Sequence, residues 1–158
     1  MTEDNYYIIC FACLKWGYSA ADLAGVSRMK YTSSVKIVKV RCTGRIDVKH
    51  ILYAIKNGCD GVMVVGWRPN ECQFKSGNFN AQRHVELANR ILERRGLGSM
   101  RVNMYMLSSA EAEKFVKSVE DAYEKVKMEG HNPINKNNNN ILEKEPTKAS
   151  NWMRLINK

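Results

Sequence analysis

The order of apolar runs and helical patterns predicts an α/β fold, a four-stranded parallel sheet covered by helices on both faces. Two observations lead to it. Strand-like and helix-like stretches alternate four times with short joints, the pattern of a sheet built from successive strand–helix–strand crossovers. The run Val62-Met63-Val64-Val65 is apolar throughout and bounded by Gly58, Gly61, Gly66 and Pro69, which reads as a strand buried on both faces. The chain has 158 residues and an apolar fraction of 44%, enough for one ordinary domain with a real core.

Tyr6 to Cys13 is the first strand, aromatic, β-branched and free of charge. Ser19 to Arg28 is a short helix, with Ser19 as N-cap and Asp22 in its first turn. Val35 to Cys42 alternates apolar residues with Lys36, Lys39 and Arg41, as suits a strand nearer the sheet edge, although Val38 breaks strict period two. Asp47 to Asn57 carries Val48, Ile51, Leu52 and Ile55 at helical spacing, and Gly58 stops it. The Val62–Val65 strand ends at Gly66, and an irregular polar loop carrying Cys72 follows. Phe79 to Arg95 is the longest helix, with Val85, Leu87, Ala88, Ile91 and Leu92 as its inner face. Arg101 to Leu107 is the fourth strand, and Ser108 or Ser109 caps a last helix that runs to about Met128. A flavodoxin-like or Rossmann-like strand order, 2-1-3-4, is expected. In such sheets ligands bind beyond the carboxyl ends of the strands, where the order switches.

The body is assigned to residues 1–130. Residues 131–148 are asparagine-rich with few core formers and read as a flexible linker. Residues 149–158 place Trp152, Leu155 and Ile156 on one face if helical, a short segment that would order only by docking. No apolar run approaches the roughly 20 residues that span a bilayer, and the acidic N-terminus is unlike a signal peptide. A soluble, cytoplasmic protein without a membrane partner is expected. The formal net charge of +9 invites a nucleic-acid reading, but Arg83, Arg90, Arg94 and Arg95 are interleaved with Glu86 and Glu93 and describe a solvated helix face. An acidic protein partner accounts for the charge equally well. A basic nucleic-acid-binding module stands as the most distant alternative.

Five cysteines, at positions 10, 13, 42, 59 and 72, are an odd number in a chain without secretion signals, which argues against a disulfide framework. Cys13, Cys42 and Cys72 each fall at or just after a different strand end, and Cys10 makes a C-x-x-C with Cys13. Zinc and a 2Fe–2S cluster both accept four thiolates, and spacing does not choose between them. The plainer reading, that these are buried small apolar residues, has equal standing on spacing alone. Cys59, between a helix end and a strand, reads as packing; His50 and His84 read as surface or satisfied residues. No Ser-His-Asp set, paired acids or Walker-type loop argues for an autonomous hydrolase or nucleotide enzyme.

The segments YSAADLAGVSR, VKIVKVRCTGRID, GCDGVMVVGWRPNEC and GNFNAQRHVELANRILERRGL, in order and nearly without gaps from Tyr7 to about Pro133, resemble the delta subunit of methyl-viologen-reducing hydrogenase. The resemblance implies a small α/β subunit that carries a 2Fe–2S cluster. It would pass electrons from a hydrogenase or formate dehydrogenase to the flavin-containing A subunit of heterodisulfide reductase, with no substrate of its own. The family pattern has a C-x-x-C after the first strand, a C-S-G-R turn after the second and a G-C-H-P-G-D-C-H loop after the third. Cys13, Cys42 and Cys72 match three of its cysteines.

The departures are specific. Trp16 stands for the second cysteine of the C-x-x-C and Trp67 for the cysteine that opens the third loop; Arg68 and Gln73 replace the loop histidines. An indole offers a hydrogen and no free lone pair, so neither Trp replaces a thiolate. Two readings follow. In one, Cys10 joins Cys13, Cys42 and Cys72 as the ligands of a rearranged 2Fe–2S relay. In the other, the cluster has been lost, the indoles fill its volume, and the chain is a structural or assembly subunit that keeps the docking surface. The paired replacement favours the second.

Overall fold

The computed structural model describes residues 5–137. The predicted 138–148 part of the linker and the predicted segment 149–158 lie outside the described residues. Four strands, β1 (Ile8–Cys13), β2 (Val35–Val40), β3 (Gly61–Gly66) and β4 (Val102–Met106), form one sheet in the order β2-β1-β3-β4, every neighbour parallel. Four helices connect and follow them: α1 (Gly17–Val26), α2 (Val48–Lys56), α3 (Gly77–Arg94) and α4 (Ala112–Glu129). The α/β fold and its strand order are those expected from the sequence.

The pleat divides the core. On β1, Ile8, Cys10 and Ala12 enter the layer beneath α1 and α4, with Met63 and Val65 of β3 and Phe115 and Val119 of α4. Ile9 and Phe11 enter the opposite layer beneath α2 and α3, with Val62, Val64, Ile51, Val85 and Leu92. Successive side chains of a strand point to opposite faces, so a central strand buried on both sides is apolar without interruption. Both β1 and β3 are wholly buried, whereas the edge strand β2 exposes Lys36 and Lys39.

Three helix starts differ from expectation. α3 begins at Gly77, two residues before Phe79. α1 begins at Gly17 with no side-chain cap, two residues before Ser19, because the chain turns hard against β3: a Cβ on Gly17 would stand 2.6 Å from the Val65 carbonyl oxygen. α4 begins at Ala112 and not after Ser108 or Ser109. The Glu111 carboxylate accepts from the Ser108 N–H at 2.7 Å and pairs with Arg68, holding Ser108 outside the helix.

The body also extends beyond residue 130. Asn132 is fully buried: its N–H donates to Asp60 Oδ1 at 2.6 Å, and its Nδ2 donates to the carbonyls of Ile55 at 2.7 Å and Cys59 at 2.8 Å. Asp60 Oδ2 accepts from the Tyr7 N–H at 2.8 Å, so one carboxylate ties the start of β1, the start of β3 and the segment after α4. A 3₁₀ turn, Pro133–Asn137, follows, with Asn135 Nδ2 on the Gly58 carbonyl at 2.7 Å. Residues 131–137, assigned to the linker by their composition, therefore belong to the folded body, since a few buried hydrogen bonds substitute here for apolar contacts.

Arg101, also unremarked in the sequence, is among the largest fully buried side chains. Its guanidinium donates to the carbonyls of Leu97 at 2.6 Å, Asp60 at 2.9 Å and Gly130 at 2.8 Å. Burial lowers its pKa, and the Glu129 and Asp60 carboxylates act in the opposite direction. Removing the Asn132 side chain takes a donor from the Cys59 carbonyl and leaves the Ile55 carbonyl with the Gly58 N–H at 3.1 Å. Asn132→Ala is expected to lower unfolding free energy by about 2–4 kcal/mol, read from urea midpoints at constant slope.

Candidate functional site

At the carboxyl end of the sheet three loops converge. β1 and β2 end side by side, with Cys13 opposite Val40 in the ladder and the Leu14 N–H on the Val40 carbonyl at 2.7 Å. After β2 the chain turns through a 3₁₀ segment, Thr43–Arg45, whose N-cap is Cys42. Its sulfur accepts from the Gly44 N–H at 3.4 Å, as the Cys13 sulfur accepts from the Gly17 N–H at 3.4 Å. After β3, residues 67–76 form the irregular loop, anchored at its base by the buried Asn78. The Asn78 amide donates to the carbonyls of Trp67 at 3.3 Å and Arg68 at 2.9 Å. The loop adopts left-handed backbone at Asn70 (φ 64) and Lys75 (φ 58), on either side of Cys72.

Glycines allow the loops to meet. A Cβ on Gly44 would stand 2.7 Å from the Gly77 Cα, so the turn after β2 lies backbone against backbone on the first residue of α3. A Cβ on Gly77 would stand 2.4 Å from the Cys42 sulfur and 3.3 Å from the Cys72 sulfur. Cys13, Cys42 and Cys72 consequently line one small pocket with Trp67, and Lys15, Arg41 and Phe74 are on its wall. Burial is the largest cause raising the pKa of both Cys13 and Cys42. Neighbouring thiols add to it, while the Gly17 and Gly44 N–H groups work against it. Cys72 is the cysteine that is not fully buried.

Cys10 does not join them. It is fully buried in the layer under α1 and α4, on the face of β1 opposite to Phe11, and burial pushes its thiol far up. Cys59 is equally buried in the other layer, as expected of packing. His50 accepts from the Asp47 N–H at the start of α2 (3.0 Å), and His84 Nδ1 is paired with the Ile46 carbonyl (2.8 Å). Both histidines are satisfied.

The two indoles are in contact at this end of the sheet. Trp16 and Trp67 meet edge to face, ring centroids 4.3 Å apart and inclined at 65°. The Trp67 indole also acts to lower the Cys13 pKa. Three thiols thus border one pocket together with an indole. Among the described residues no group of three or more His, Cys, Asp or Glu is arranged to hold a metal ion. The three thiols line the pocket, and the fourth cysteine of the sequence set is buried in the layer under α1 and α4. This donor set does not fit a four-thiolate cluster.

Residues 8–130 match the family model described as methyl-viologen-reducing hydrogenase, delta subunit. The chain belongs to this family. Among its relatives in the delta-subunit family is the D iron-sulfur subunit of the F420-non-reducing hydrogenase vhu of Methanococcus maripaludis. That protein is 45% identical over 127 residues, which are 80% of this chain and 95% of the relative. The protein of the same name from Methanopyrus kandleri is 44% identical over 130 residues, 82% of this chain and 98% of the relative. A third similarity is to a stretch of a much longer protein, the A subunit of the ferredoxin:CoB-CoM heterodisulfide reductase of Methanosarcina mazei. It is 34% identical over 113 residues, 72% of this chain but 14% of that protein. No helix among the described residues is long and apolar enough to cross a membrane.

Two outcomes follow from this geometry. Gly44→Ala, which sets a methyl against immovable backbone, is expected to cost about 1–3 kcal/mol in urea unfolding, whereas Gly25→Ala, with open space around it, is expected to cost nothing comparable. In native protein treated briefly with iodoacetamide, Cys72 is expected to alkylate first, and peptide mapping that found Cys10 or Cys59 modified before it would contradict the burial described here.

Proposed function

We propose that this chain is a cluster-depleted paralogue of the electron-transfer subunit, serving as a structural or assembly subunit of a hydrogenase/heterodisulfide-reductase-type redox complex. The observation that carries the proposal is the Trp16–Trp67 pair. Both indoles stand where the family pattern has cysteines, and they pack on each other beside the three remaining thiols. Protein interiors are close-packed, and a void left by a lost cluster would be costly. Two indoles in edge-to-face contact are an economical filling, and neither has a lone pair to offer a metal.

Partnership is inferred from the relatives. Several are named as hydrogenase subunits, and the similar stretch in the Methanosarcina proteins lies within the A subunit of a heterodisulfide reductase. The partners proposed are a heterodisulfide reductase A-like flavoprotein and hydrogenase or formate dehydrogenase subunits, in the cytoplasm. In this reading the chain's own residues supply shape: the sheet, the α2/α3 layer and the three loops hold a docking body together, and no electron passes through it.

The relay reading draws on the words "iron-sulfur" in the relatives' names. It would recruit Cys10, Cys13, Cys42 and Cys72 to a 2Fe–2S cluster. It then requires Cys10 to leave the layer under α1 and α4 and cross the central strand, which the buried packing on both faces of β1 opposes.

The test is iron and acid-labile sulfide per chain, on protein purified anaerobically with whatever accompanies it. The expected result is no iron on this chain while its partners are loaded. The Trp16→Cys/Trp67→Cys double variant, which restores the family's thiolates, is expected to turn brown and take up about two irons per chain on reconstitution. About two irons on the unaltered chain would overturn the proposal.

A further inference from the structure

We propose that Cys42 and Cys72 form a dithiol that reduces an anionic organic disulfide, closing to an intramolecular disulfide across the space kept open by Gly77. This rests on the cluster-free reading, because thiolates bound to iron would not be free to react. Both sulfurs crowd the same point, 2.4 and 3.3 Å from where a Gly77 Cβ would be, so they can be no farther apart than those two reaches combined. Any side chain at residue 77 would occupy that space. The neighbouring Cys72 thiol also raises the Cys42 pKa. Cys13 shares the pocket but is engaged differently, with the Gly17 N–H on its sulfur and the Trp67 indole acting to lower its pKa.

The two cysteines differ in the way a thiol–disulfide exchange requires. Cys72 is partly exposed on an irregular loop, whereas Cys42 is buried at the N-cap of a short turn. Exchange proceeds by attack of one thiolate on a disulfide sulfur, followed by resolution of the mixed disulfide. Cys72, as thiolate, attacks one sulfur of the organic disulfide; the S–S bond breaks and the first organic thiolate leaves, taking up a proton. Cys42 loses its proton and attacks the Cys72 sulfur, and the second organic thiolate leaves and is protonated. Two protein thiols are oxidised by two electrons, and one disulfide is reduced to two thiols, with the two protons accounted for. Lys15 and Arg41, exposed and on the pocket wall, set a positive rim that favours a negatively charged disulfide over a neutral one.

The probes are oxidised glutathione, which is anionic, and 2-hydroxyethyl disulfide, which is neutral, added to anaerobically reduced full-length protein whose iron content has been measured. Expected are the loss of two alkylatable thiols, a mass decrease of two hydrogens and a Cys42–Cys72 linked peptide. At low ionic strength oxidised glutathione is expected to react about tenfold faster relative to its rate with a free thiol than the neutral probe, and salt removes the difference. Cys42→Ser is expected to stall with one adduct on Cys72, and Cys13→Ser to form the same cross-link as the unaltered chain. A Cys13–Cys72 link, a persistent single adduct on the unaltered chain, or no thiol loss in iron-free protein would overturn this inference alone. Equal relative rates for the two probes would overturn the anionic class. Unreactive thiols in a chain carrying iron would overturn both this inference and the cluster-free reading.

Discussion

The burial of β1 on both faces constrains everything at the thiol end of this protein. A central strand between β2 and β3 has no solvent side, so its side chains alternate between two packed layers and cannot be exchanged without inverting the core. Cys10 and Cys13 are an odd number of residues apart, and the strand that carries both holds them on opposite sides. The same parallel register aligns the ends of β1, β2 and β3, so that three loops distant in sequence emerge together. Glycine then decides how closely they approach, with Gly44 and Gly77 in backbone contact and Gly17 against the end of β3.

Within that frame three thiols and a pair of indoles meet at the carboxyl end of the sheet. Cys13 and Cys42 retain backbone N–H donors on their sulfurs, an environment suited to a thiolate, yet burial dominates and raises both pKa values. The indoles bring apolar area and one N–H donor each. The Trp67 indole lowers the pKa of the Cys13 thiol, against the effect of burial. The exposed Phe74 and the basic residues at the rim leave the pocket accessible to solutes on one side.

The sheet was legible because its two central strands are apolar without interruption and its edge strand alternates with lysines, each pattern a direct record of which faces are buried. Convergence of Cys13, Cys42 and Cys72 followed from the strand order alone. The sequence offered Cys10 as a candidate fourth ligand, and the structure places it in the layer under α1 and α4. The starts of α1 and α4 were not legible: Ser19 and Ser108 have good capping chemistry, but a steric contact at Gly17 and the Glu111 carboxylate overruled it. Asn132 was missed because asparagine in an asparagine-rich stretch gives no apolar signal. Its role depends on Asp60, Ile55 and Cys59, which are more than seventy positions away. The faint local clue was the Asn132-Pro133 pair, a turn initiator directly after the Gly130 stop.

The Asp60–Asn132 clamp lies at the amino ends of the strands, the end of the sheet opposite to the thiol pocket, about 20 Å away for strands of this length. The chain therefore leaves the described body from the pole remote from its chemistry. Residue 137, the last one described, belongs to the turn beside that clamp. The two poles are in this sense separately evolvable, one under the constraint of a close-packed set of thiols and indoles, the other limited only by a handful of hydrogen bonds. Similar sequence occurs both in a relative of nearly the same length and as a stretch of a much longer polypeptide.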